Sequence, residues 1–147
     1  MCFVLELRRM EKKSVNILGI DTCGGATTVW LLDGDTATDK ITIPFDKSNK
    51  EVVLNNSVRE ILARNKTSFE NLSAYAVITG PGSWTGSRIG VAATLAYHLA
   101  HPKPIIELKG NFSPSEVIKR YNEKKFISAN ELQPHYDSDF VVTVKNQ

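Results

Sequence analysis

The residues best placed to do chemistry lie in one glycine-rich run, Thr79-Gly80-Pro81-Gly82-Ser83-Trp84-Thr85-Gly86-Ser87-Arg88-Ile89-Gly90. An apolar segment, Ala74-Tyr75-Ala76-Val77-Ile78, precedes it. A stretch rich in Ala, Leu, Val and Thr, from Ile89 to Ala100, follows. That order reads as strand, turn, helix. Proline fixes one φ and glycine admits backbone angles closed to other residues, so Gly80-Pro81-Gly82 turns the chain sharply. Ser83 or Thr85 supplies the oxygen that caps the first helical N–H groups. Such a turn has two readings: a loop whose N–H groups hold an anion, or a tight connection with no ligand. No Gly-Lys-Ser/Thr follows, and the glycines lack dinucleotide-binding spacing.

Other reactive groups are sparse. His98 and His101 stand three apart on the same helix and in principle share a metal. No third ligand lies at a suitable spacing and HExxH is absent, so the pair reads as a solvated helix end and no metal site is expected. Ser83 has no identifiable base and Cys23 is a lone thiol, which leaves no Ser/His/Asp or Cys/His constellation and no expected catalytic residue. Lys119, Arg120, Lys124 and Lys125 can meet nucleic-acid phosphates. A solvated face is the plainer reading of that cluster.

The elements that would position these residues follow from pattern. Val15 to Asp21 is an apolar run, Thr22-Cys23-Gly24-Gly25 a turn, and Ala26 to Leu32 a β-branched second strand. Asp33-Gly34 favours a hairpin, and Thr36 to Phe45 makes an edge-leaning third strand closed by Pro44. Ser48 or Asn49 caps a helix over 51–64, with Leu54, Val58, Ile61 and Leu62 on its core stripe. Val52, Asn56, Arg59 and Ala63 form a second stripe on the opposite side. On the second helix Ile89, Ala92, Leu95, Ala96 and Leu99 face one way. Gly86, Gly90, Thr94, Tyr97 and His101 lie on the other side, read as the outer one. That side is nearly flat, so another helix can come close. Proline ends the helix at Pro102 and Pro104, and 104–108 is a fifth strand parallel to the fourth. Ser113-Pro114-Ser115-Glu116 looks like a capping box for a short helix ending near Lys125. Residues 140–144 read as a last strand. The sum is an α/β lobe of order βββαβαβ, a five-stranded mixed sheet with helices on its faces.

The bulk numbers agree with one such domain. The chain has 147 residues, 41% hydrophobic and 23% charged, which suits a single globular unit. A net charge of +2 is too small to argue for nucleic-acid binding. Cys2 and Cys23 show no CxxC pairing and read as reduced thiols of a cytoplasmic protein. No apolar stretch is long enough to cross a bilayer. In residues 1–10 the charges follow the apolar piece, the wrong order for a signal peptide. Either Met10 is the true start, with 1–9 a dispensable extension, or the whole segment belongs to the protein.

Two of these pieces resemble the TsaB (YeaZ) family, the actin-like (ribonuclease H-like, ASKHA) partner in bacterial tRNA threonylcarbamoyladenosine synthesis. Ile17-Leu18-Gly19-Ile20-Asp21-Thr22 is similar to that family's opening strand. Gly80-Pro81-Gly82-Ser83-Trp84-Thr85-Gly86-Ser87-Arg88-Ile89-Gly90 is similar to its signature turn, with Trp84 where the family often has Phe and Ser87 where it often has Leu. The likeness runs from about Val15 to Leu108. Family members usually carry a second lobe, and only about forty residues follow Leu108. Leu132-Gln133-Pro134-His135-Tyr136 resembles the family's C-terminal end, which suggests an internal deletion. The division expected is a 1–14 extension, a 15–110 actin-like lobe, and a 111–147 helix and tail left from the second lobe.

The resemblance implies a non-catalytic scaffold. It would pair with a TsaD-like subunit that modifies adenosine 37 of tRNA, possess no cofactor of its own, and meet ATP, Mg²⁺ and tRNA only within the complex. A TsaE-like ATPase is a further implied partner, and a homodimer through the same helices stands as an alternative; no membrane partner is expected. The implied contact surface is Val52, Asn55, Asn56, Arg59 and Ala63 with Gly86, Gly90, Thr94, Tyr97 and His101. Asp21-Thr22-Cys23-Gly24-Gly25 also resembles the first phosphate loop of actin-like ATPases, where an Asp holds Mg²⁺ through water. Asp21, Thr22 and Gly24 are therefore the candidates for a degenerate ATP site, against a plain hairpin turn. The TsaD-like family's metal-binding HxxxH pair is not matched by His98-Leu99-Ala100-His101.

Overall fold

Alternating side chains decide how the first three strands are used. The computed structural model describes residues 15–34, 36–46 and 49–136. Strands β1 (Asn16–Asp21), β2 (Ala26–Asp33) and β3 (Thr36–Pro44) form an antiparallel meander, with Gly19 opposite Trp30 and Val29 opposite Ile41. The β2–β3 register slips at Leu31/Leu32, and the extra residue, Thr38, donates its hydroxyl to the Leu31 carbonyl at 3.0 Å. Such a bulge bends an edge strand. The chain then forms α1 (Lys50–Arg64), a short 3₁₀ turn (Phe69–Asn71), β4 (Ala74–Ile78), α2 (Trp84–Ala100), β5 (Ile105–Leu108) and α3 (Pro114–Asn122). β4 pairs parallel with β1, and β5 parallel with β4, giving the sheet order β3-β2-β1-β4-β5.

The two sheet faces have different covers. Leu18, Ile20, Val29 and Val77 pack against Leu54, Val58 and Ile61 of α1 and Ile89 of α2. Their strand neighbours Ile17, Leu32, Ala76 and Ile106 point to the other face, which meets Val117 of α3. On that second face Trp30 stacks on Phe112, ring centroids 4.0 Å apart. The helices are capped as their sequences suggest. Asn49 accepts from the Glu51 and Val52 N–H groups, and Ser113 from Glu116 N–H. Arg64, in the last turn of α1, pairs with Asp39 of β3 through two hydrogen bonds. That pair holds the Asp39 carboxyl at a pKa of about 2, chiefly through the Arg64 hydrogen bonds.

Several boundaries moved. α2 begins at Trp84, five residues before the expected Ile89, because Ser83 accepts from the Gly86 N–H at 3.1 Å and starts the helix inside the turn. α3 stops at Asn122 rather than near Lys125; Lys124 adopts a φ of 56°, which breaks the helix. The segment after it returns along the sheet: Ile127 N–H donates to the Ile105 carbonyl at 2.9 Å on the free side of β5. The strand expected at 140–144, and the extension at 1–14, lie outside the described residues.

Candidate docking face and the glycine turn

The glycine turn is built around one buried hydroxyl. Thr22, just past the end of β1, is fully buried. Its Oγ1 donates to the Gly86 carbonyl at 2.5 Å and accepts from the Gly90 N–H at 2.9 Å. A hydroxyl can do both at once, and a buried one must find partners. To supply them, α2 has to bring its backbone onto the sheet. Only glycine permits this: a Cβ at Gly86 would lie 2.5 Å from the Thr22 carbonyl oxygen, and one at Gly90 2.8 Å from Thr22 Oγ1.

This geometry overturns the expected orientation of α2. Gly86, Gly90 and Thr94 are buried against the sheet, not displayed to a partner, and the Thr94 hydroxyl donates to the Gly90 carbonyl at 2.8 Å. Tyr97 is half-buried between the two helices, its hydroxyl 2.5 Å from Asn55 Oδ1. Burial pushes its phenol up to about 12, against the opposing pull of Arg59. His101 ends the helix half-buried, its ring stacked on Phe69 and its carbonyl accepting from Tyr75 Oη at 2.7 Å. The flat side is therefore the inner side. Ala92 and Ala96 point outward with Arg88, and Leu99 is 85% exposed. Of the stripe expected to share one side with them, Ile89 is buried and Leu95 half-buried.

On α1 the expected division holds. Leu54, Val58, Ile61 and Leu62 are buried, while Val52, Asn55, Asn56, Arg59 and Ala63 are exposed. Between the outward faces of the two helices runs a groove of about 520 Å³, whose lining includes Leu54, Asn55, Trp84, Arg88, Ala92 and Ala96. Trp84 stands at the head of α2, 42% exposed, with the Arg88 guanidinium 4.9 Å from its ring centroid. Of the contact surface implied by the sequence, Asn55 and Tyr97 line this groove, while Arg88, Ala92 and Ala96 were not read as part of it. A usable signal was present: Arg88 is the one Asp, Glu, Lys or Arg in α2, and Ala92 and Ala96 follow it on the same helical stripe.

The remaining candidates fall into separate places. Asp21 Oδ1 accepts the Cys23 N–H at 2.9 Å, and burial pushes its carboxyl above the usual range, partly offset by that bond. Thr22 is committed to α2, and Gly24 is exposed at the hairpin tip. His98 Nδ1 lies 2.9 Å from the Lys103 carbonyl. Among the described residues, no three His, Cys, Asp or Glu side chains come together as a metal site. Arg120 pairs with Glu116 at 3.0 Å and Lys125 with Glu123 at 3.6 Å, so part of the late basic cluster is internally compensated. Among the described residues, no helix is long and apolar enough to cross a membrane.

A meander followed by two parallel strands, with two helices on one face and one on the other, defines an actin-like lobe. Solved structures agree. YeaZ from Pseudomonas aeruginosa matches with a TM-score of 0.61 at 22% identity, over 76% of this chain and 50% of that one. An uncharacterized protein with similarity to peptidase YEAZ from the same organism matches at TM-score 0.59 and 24% identity, over 65% and 43%. Residues 47–110 match the family described as TsaD, tRNA N6-adenosine threonylcarbamoyltransferase. The tRNA threonylcarbamoyladenosine biosynthesis protein TsaB of Bacillus subtilis (strain 168) is 38% identical over 90 residues, 60% of this chain and 39% of the relative. Over the segment it shares with these proteins, the chain is similar to TsaB and has the fold of YeaZ. It spans between about two fifths and one half of the length of the relatives it matches.

Proposed function

We propose that this chain is a non-catalytic scaffold subunit in the synthesis of N6-threonylcarbamoyladenosine at position 37 of tRNA. It docks onto a TsaD-like catalytic subunit through α1 and the outward face of α2. The observation that carries this reading is the groove between those helices, with alanines in its lining and Trp84 at its head. Small residues let a partner helix approach closely, and an exposed Trp is a common anchor. Val52, Asn55, Asn56, Arg59 and Ala63 stay in the proposed surface. Trp84, Arg88, Ala92, Ala96 and Leu99 replace the glycine stripe. No nucleotide is needed at Asp21, Thr22 and Gly24, a view supported by the commitment of the Thr22 hydroxyl to α2. ATP, Mg²⁺ and a TsaE-like ATPase enter at the level of the complex.

The test is co-purification with the TsaD-like protein of the same source. Ala96→Glu places a charge in the groove without touching the core, and capture should fall by at least about ten-fold. Capture unaffected by that change counts against the reading. Light scattering of the isolated chain runs beside it. A dimer that Ala96→Glu dissociates, with no capture by the wild type, makes the groove a self-association surface instead.

A further inference from the structure

The segment after α3 does more than trail away. Leu132 is 5% exposed and belongs to the core under α1 and α2. His135 N–H donates to the Thr79 carbonyl at 2.7 Å, and Tyr136 forms a parallel bridge with Gly82. Ser87 Oγ donates to the His135 carbonyl at 3.4 Å. The His135 ring sits 3.3 Å from Glu107 Oε2, the oxygen that also accepts from Thr79 Oγ1 at 2.9 Å. Gly80 fits this arrangement alone: its φ is 140°, and a Cβ there would run into the His135 carbonyl oxygen. The segment 127–136 therefore grips the signature turn from Thr79 to Ser87. Its last described residue, Tyr136, stacks on Trp84 with ring centroids 4.5 Å apart.

We infer that the segment 127–136 is a strap that positions the head of the docking groove. Trp84 lines the groove and Tyr136 does not. The stack holds the indole in place before any partner arrives, so less ordering is left to the binding step. Tyr136 is thus a positioning residue, acting through Trp84, and the device rests on the docking reading above.

The full chain labelled with 5-fluorotryptophan reports both parts, since Trp30 and Trp84 are its two tryptophans. Tyr136→Ala should move or broaden the Trp84 resonance. It should leave Trp30, stacked on Phe112 across the sheet, unchanged as a check on folding. Affinity for the TsaD-like protein should drop about ten-fold, and Tyr136→Phe should restore both signals. An unmoved Trp84 resonance, or a moved one with unchanged affinity, overturns the strap's role. Wild-type chain that captures no partner overturns the docking reading and not the strap. The strap is then judged on the Trp84 line width alone: broadened by Tyr136→Ala it stands as what holds the indole, and equally sharp it falls.

Discussion

The two long sides of α2 are both built from small residues, yet they do opposite work. The inner side carries Gly86, Gly90 and Thr94 and lies on β1 and β4 through the Thr22 hydroxyl. The outer side carries Ala92 and Ala96 between Trp84 and Leu99 and, among the described residues, lies outside the packed core. Glycine appears where backbone must touch backbone. Alanine appears where a helix must stay helical while remaining approachable. Gly in a helix costs about 1 kcal/mol relative to Ala, and the inner side offsets that cost within the molecule itself. A stripe of small residues thus does not announce a partner, because the closest neighbour can be the protein's own sheet.

The sharpest way to break this comparison is Gly90→Leu. If the inner assignment is right, the new side chain meets Thr22 Oγ1, Ile20 Cγ2 and Val77 Cγ2. Overpacking there should cost about 3 kcal/mol or more, a large share of the stability of a marginal domain. Thermal unfolding followed by circular dichroism reads the loss. A variant with wild-type stability would put the glycines outside. Thr22→Val keeps the shape and removes the hydroxyl, leaving Gly86 and Gly90 without this partner in a buried place. The expected cost is about 1–3 kcal/mol in urea unfolding, with Thr22→Ser closer to the wild type. Equal stability of the two variants would mean that the hydroxyl does not hold α2 down.

Much of the fold was legible because its signals are local. Asn49, Ser83 and Ser113 cap the helices where candidate caps stood, and the β1 and β4 runs are apolar enough to need burial on both faces. The core stripe of α1 was readable because charged and amide residues mark its other side. α2 offers no such contrast. Its sequence is small or apolar nearly all round, so periodicity fixed the stripes and left their direction undecided. The deciding interaction, Thr22 to Gly86 and Gly90, spans 64 and 68 residues and no local pattern carries it. The strap was missed for the same reason: Thr79 and His135 meet only after the sheet is assembled. Arg88 was the one local clue, since a charge with no partner of opposite sign on its helix belongs on the solvent side.

The gentlest test concerns Leu99, which the hydrophobic pattern put with Ile89 on the side expected to be inward. Its 85% exposure means that a mutation there removes almost no buried surface. Lys has nearly the same helix propensity as Leu, and a cation in the last turn of α2 is favoured by the helix dipole. Leu99→Lys should therefore change stability by no more than about 0.5 kcal/mol, in either direction. A core leucine would lose several times that through burial of an unpaired charge. Urea unfolding separates the two outcomes cleanly. If stability holds while capture of the TsaD-like protein weakens, the outer side of α2 is a working surface along its whole length. If both hold, the docking face ends before the last turn and is centred on Trp84.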